Sequence, residues 1–154
     1  MASKPDPADI VLFSDLVRAE TRLYNHLDAV LREHGLVTSQ FEFLRWVRDH
    51  DGARIVDLAA EFAVGLGAVS KAMDRYERAG WIERRPHHDD RRSVALGLTE
   101  AGRALVDAAE LTFADRLAEI FGSALQPEQR QGVAEALAAL RRMLETEGLG
   151  RPAG

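Results

Sequence analysis

The sequence predicts a mainly α-helical fold with one small β-hairpin, and three observations predict it. Long segments repeat apolar residues at steps of three and four, the period of a helix face. Residues 80–103, GWIERRPHHDDRRSVALGLTEAGR, carry strand composition and alternation around a charged turn. Two short helical patterns joined by a small-residue turn stand directly before that hairpin, which makes a helix-turn-helix followed by a wing.

The elements follow in chain order. Residues 1–7, MASKPDP, lack an apolar signal region and are expected to form a disordered tip. From Ile10 to Glu33 there is no Gly or Pro. Leu12, Leu16, Ala19, Leu23, Leu27 and Val30 form a core stripe there, and Gly35 ends the helix. Thr38 is placed to cap the next helix, whose apolar bulk is Phe41, Leu44, Trp46 and Val47.

A third helix opens near Ile55, with Ile55, Leu58, Ala59 and Phe62 on one face. Residues 63–67 read as the turn. The fourth helix covers residues 68–79 and stops at Gly80. Val69, Ala72, Met73 and Tyr76 face inward, while Ser70, Lys71, Asp74, Arg75 and Arg78 face outward. Trp81-Ile82-Glu83-Arg84-Arg85 is a strand that Pro86 stops. Residues 87–92 are the tip, and Val94, Leu96 and Leu98 give the return strand one buried face.

Thr99 caps a long helix through Leu105, Leu111, Leu117 and Phe121, interrupted at Gly122-Ser123. Pro127 suits the first position of a last helix, with Val133, Leu137, Leu140 and Leu144 on one face. Residues 151–154 are expected to fray. The chain offers more apolar helix than one small winged domain can cover, so the outer helices are expected to meet a second copy.

Composition narrows the function. The 154 residues fit one domain, and no window approaches ~18 uninterrupted apolar residues. A cytoplasmic protein with no membrane partner is expected. Zero cysteines exclude disulfides, thiolate metal sites and thiol redox sensing. Ser70 has no His or acid at motif spacing, and neither a GK[ST] phosphate loop nor HExxH is present, so neither an enzyme nor a cofactor is expected.

The net charge is −5, which is unusual for a nucleic-acid binder. Its distribution resolves the conflict. Residues 71–92 hold seven Arg or Lys against five acids, 7 − 5 = +2, leaving −7 for the rest. The positive field is local, and it falls where a recognition helix and wing would face double-stranded DNA. Ser70, Lys71 and Arg75 are the expected groove and phosphate contacts of the helix. Asp74 would repel phosphate and is expected to orient a nearby arginine.

Several pieces together resemble the MarR family of multiple-antibiotic-resistance regulators. They are Leu36-Val37-Thr38-Ser39-Gln40-Phe41, Asp57-Leu58-Ala59, the run from Val69 to Glu77, Gly80-Trp81-Ile82, Asp90-Arg91-Arg92-Ser93 and Leu98-Thr99-Glu100-Ala101-Gly102. The resemblance implies a single domain over residues 1–154. It divides into a winged helix-turn-helix DNA-binding lobe over 36–103 and helical dimerisation regions over 8–35 and 104–147. It implies a homodimer on a palindromic operator, with Asp90 and Arg92 as the wing pair that sends arginine into the minor groove; Arg91 is expected to meet phosphate or solvent.

It further implies a repressor released by a small aromatic or phenolic acid held between frame and lobe. Arg18, Arg22, Trp46 and His50 are the right chemical types for that cleft. Two departures stand out. Many relatives carry an Asp-Pro turn where this chain has His87-His88, which gains positive charge in mild acid. Relatives are rich in Ser and Thr at the start of the recognition helix, where this chain has Gly65-Leu66-Gly67-Ala68. Two alternatives stay open. One is a zinc- or other metal-responsive regulator, with His87-His88-Asp89-Asp90 as the candidate ligands, although no metal site is expected. The other is a winged helix that binds protein.

Overall fold

The structure, a computed structural model, describes residues 6–152. Of the two termini expected to be irregular, residues 1–5 and 153–154 lie outside the described residues. Asp6 and Pro7 do not belong to a frayed tip. The Asp6 carboxylate accepts the Ala8 N–H at 2.9 Å and Pro7 starts α1 (Pro7–Leu31). A side-chain acceptor followed by a residue with its φ preset is a strong helix start.

A single 3₁₀ turn, Arg32–His34, follows, and Gly35 reverses the chain at φ 71°. α2 is Thr38–Asp49, α3 is Ile55–Glu61 and α4 is Leu66–Arg78. β1 (Ile82–Pro86) pairs antiparallel with β2 (Val94–Leu98), Ile82 opposite Leu98 and Pro86 opposite Val94. α5 (Glu100–Ala124) and α6 (Pro127–Thr146) complete the chain.

The core lies between α2, α3, α4, the hairpin and the first half of α5. Leu31, Leu36, Phe41, Leu44, Leu58, Met73 and Leu96 are fully buried in it. Burying one such side chain favours folding by about 1.5–3 kcal/mol before entropy is counted. Phe41 meets Phe113 with ring centroids 4.6 Å apart, which ties α2 to α5. Arg48 reinforces that contact, donating to Glu110 at 2.7 and 3.1 Å and to Asp107 at 2.9 Å. The Arg48 guanidinium holds the Glu110 carboxyl below the usual carboxylate range.

Several expectations are corrected. Thr38 does not cap α2. It is the first helical residue, 3% exposed, and its N–H goes to the Asp28 carboxylate at 2.7 Å. The Gln40 side chain reaches back to the Val37 N–H instead, at 2.9 Å. The helix-turn-helix turn is shorter than expected, because α4 starts at Leu66 and takes Gly67 and Ala68 into its first turn. Ala63 closes the turn at φ 49°, a left-handed conformation outside glycine's usual monopoly. Pro86 ends β1 as its last paired residue rather than preceding the end, which an edge position without an N–H tolerates.

β2 is covered on both faces. Ala95, Leu96, Gly97 and Leu98 are all buried and Val94 is exposed. Arg85 and Asp51 side chains lie over Gly97, and Arg54 pairs with Ala95 as a one-residue third rung. Gly122 and Ser123 do not interrupt α5. They sit in its last turn, where the Ser123 hydroxyl donates to the Glu119 carbonyl at 2.8 Å.

The outer helices depart most from a monomeric core. In α1 only Leu27 and Leu31 are buried, while Ile10, Leu12 and Phe13 are 70%, 69% and 66% exposed. In α6 no residue is buried, and Val133, Leu137, Leu140 and Leu144 all face out. Leu111 on α5 is exposed too. Among the described residues no helix is long and apolar enough to cross a membrane.

Candidate nucleic-acid interface

α4 is amphipathic along its whole length. Val69, Ala72, Met73 and Tyr76 are buried, and Lys71, Asp74, Arg75 and Arg78 are exposed, as the spacing predicts. Ser70 is half-buried at the edge. Burial pushes the Tyr76 phenol up to about 12, so it stays neutral against Trp81. No side chain caps the N-terminus of α4; Gly65 occupies the cap position.

The seven cations of residues 71–92 fall into two groups. Arg84 bonds Asp74 at 2.7 Å and Glu77 at 2.8 Å, which neutralises it and ties α4 to β1. Asp74 thus has the arginine partner expected of it. Arg85 pairs with Asp51 at 2.5 Å. Lys71, Arg75, Arg78, Arg91 and Arg92 make no ion pair among the described residues. These five form the available field.

The wing tip is closed by its own backbone. His87 N–H reaches the Ser93 carbonyl and Ser93 N–H the Asp90 carbonyl, both at 2.9 Å. The Asp90 carboxylate accepts the Arg92 backbone N–H at 2.9 Å. Asp90 therefore fixes the main chain at Arg92 rather than its guanidinium. His87 and His88 stack at 4.6 Å, and with Asp89 they offer three ligand atoms within 4.8 Å of one another. A structural zinc site takes four protein ligands; this cluster offers three, and His88 and Asp89 lie on the exposed tip.

Ser70 and Arg92 share a notch of about 430 Å³ between α3, α4 and the wing, so the two expected contact elements line one groove. Arg54 lines it too. Arg54 sits between a turn and a helix start and belongs to neither sequence pattern. Its spacing to Asp57 was the available signal. The Asp57 carboxylate accepts the Arg54 backbone N–H at 2.9 Å and its guanidinium at 3.3 Å, and the guanidinium holds the Asp57 carboxyl below its usual range.

The four residues suggested for a ligand cleft do not converge. Trp46 and His50 stack at 4.3 Å, with His50 Nδ1 2.9 Å from the Trp46 carbonyl. They line an open cleft of about 1170 Å³ between α3 and the end of α6. Arg18 and Arg22 lie on the exposed part of α1 and do not line it. The cations at that cleft are Arg141 and Arg151.

A helix-turn-helix whose second helix and wing line one notch and carry unpaired cations beside it, on a helical frame, defines a winged helix-turn-helix protein. Comparison with known proteins narrows the class. A profile of the MarR family matches residues 36–94. The HTH-type transcriptional regulator YfiV of Bacillus subtilis is 31% identical over 110 residues, 69% of this chain and 66% of that protein. AbsC, a MarR family transcriptional regulator from Streptomyces coelicolor, superposes with TM-score 0.81 at 21% identity, covering 94% of this chain and 99% of that one. The transcriptional repressor CouR, bound to a 23-mer DNA duplex, superposes with TM-score 0.76 at 25% identity, covering 92% of this chain and 99% of CouR. The chain belongs to the MarR family. It spans about two thirds or less of the length of the sequence relatives it matches first, 66%, 63% and 58%.

Proposed function

We propose that this protein is a homodimeric regulator of transcription that binds a palindromic double-stranded DNA site and represses from it. The observation that carries the reading is the row of unpaired cations, Lys71, Arg75, Arg91 and Arg92, on the two elements that flank one groove. α4 enters the major groove, with Ser70, Lys71 and Arg75 on its base edges and phosphate walls. The wing lies over the adjacent minor groove. CouR bound to DNA supports the assignment of partner. The exposed apolar residues of α1 and α6 support the dimer, because apolar helix faces of a water-borne protein are ordinarily covered.

Release by a small aromatic acid is the regulatory half of the proposal. The Trp46–His50 stack gives it an aromatic wall; Arg141 is paired with Glu145 at 2.7 Å, which leaves Arg151 as the cation for a carboxylate. A metal-responsive version has the His87, His88 and Asp89 cluster behind it. Calorimetry with zinc separates the two, since only the second predicts heat that disappears in His87→Ala.

The test of DNA binding is fluorescence anisotropy across a salt series. Lys71→Ala is expected to weaken binding to every duplex and to lower the slope of log affinity against log salt by about 0.9, the share of one phosphate contact. An unchanged slope and affinity would remove Lys71 from the interface.

A further inference from the structure

The sharpest unassigned feature is the notch between the helix-turn-helix and the wing. Its position is fixed by backbone. Gly52 N–H bonds the Leu96 carbonyl at 2.9 Å, Leu96 N–H bonds the Ala53 carbonyl at 2.8 Å, and Arg54 bridges Ala95. Residues 52–54 are thus stitched to β2, and α3 begins immediately after them. Arg54 stands at the junction of all the DNA-facing elements, with Ser70 on one side and Arg92 on the other.

The notch has apolar walls from Ile55, Val56, Leu66 and Val94, and its hydrogen-bond donors are two arginines and two serines. Arg54 presents five N–H donors. Asp57 engages Nε and one Nη2 hydrogen through long contacts of 3.3 Å. That leaves three donors free on a side chain already held in one orientation. The Arg54–Asp57 ion pair brings the notch no net charge; what Arg54 adds is oriented donors, and Arg92 is the unpaired cation of the notch. Ser70 adds a hydroxyl at the half-buried edge of α4.

We propose that this notch is a phosphodiester-binding site with Arg54 as its oriented donor fork and Arg92 as its unpaired cation, occupied by the DNA backbone strand that separates the two grooves. The inference rests on the DNA-binding reading above. If α4 lies in the major groove and the wing in the neighbouring minor groove, one sugar–phosphate strand must cross between them. The notch is the gap through which it passes. Arg54 is then a positioning contact, setting register without reading sequence.

Anisotropy titrations of Arg54→Gln and Arg54→Lys on one selected duplex and one unrelated duplex test it. Arg54→Gln keeps length and an amide donor for Asp57 but removes the charge. It should weaken both duplexes by a similar factor, about fivefold to tenfold, and lower the salt slope by about one. Arg54→Lys should keep the slope. Thermal melts of both variants confirm that the fold is retained. An Arg54→Gln protein with wild-type affinity and slope overturns the proposal, as does a loss confined to the selected duplex. A wild-type protein that binds neither duplex overturns the DNA-binding reading itself, a result distinct from either.

Discussion

Asp90 accepts the backbone N–H of Arg92 while both wing arginines remain exposed. The pairing of Asp90 with Arg92 was legible in the sequence from spacing and resemblance, but the atoms involved were not. An exposed tip gains more from satisfying a turn amide than from ordering a long guanidinium in water, and aspartate suits that turn. The functional consequence keeps its sign. Asp90 shapes the tip from which Arg92 projects into the notch shared with Ser70, whereas Arg91 does not line it. Arg92→Ala is therefore expected to lose about tenfold in affinity and Arg91→Ala less. Asp90→Ala should weaken binding despite removing a negative charge. Titration of the three variants at fixed salt checks the order, and tighter binding by Asp90→Ala would reduce the two arginines to interchangeable counterions.

At the scale of elements, the joint between wing and frame is made by Thr99 and Gly102. Thr99 accepts the Gly102 N–H at 3.0 Å and donates to the Gly80 carbonyl at 2.6 Å. A Cβ on Gly102 would fall 1.9 Å from the Trp81 carbonyl oxygen, so glycine lets α5 dock on the hairpin. Gly102→Ala should destabilise the fold by about 1–3 kcal/mol, read as a drop in the melting midpoint. An unchanged midpoint would show that the α5 start shifts freely. Helix existence, the inward face of α4, the Thr99 cap and the Gly80 stop were all readable from local pattern. The start of α4, the second buried face of β2 and the role of Thr38 were not. The last two depend on residues elsewhere in the chain: Arg85 and Asp51 over β2, Asp28 for Thr38.

At the scale of the whole molecule, apolar periodicity cannot say which chain covers a stripe. The same spacing that buries Leu27 leaves Leu12 and Leu16 in water, because the winged lobe ends before the α1 N-terminal half begins. Leu137 and Leu140 on α6 are 44% and 41% exposed and are likewise left uncovered by their own chain. Changing both to Glu should leave the winged lobe folded and yield monomers, since it puts two charges into a face that association would dehydrate. Light scattering that still reports a dimer would restrict α6 to its own chain. The acidic remainder of the molecule, with −7 outside residues 71–92, keeps the cationic groove local and favours a specific site over indiscriminate adhesion. Selection of bound duplexes from a random-sequence pool by the full-length protein tests the whole account most directly. A two-fold symmetric dimer should enrich a palindrome whose half-sites lie about one helical turn, ~10 bp, apart. Enrichment of a single asymmetric half-site, or of no sequence at all, would contradict it.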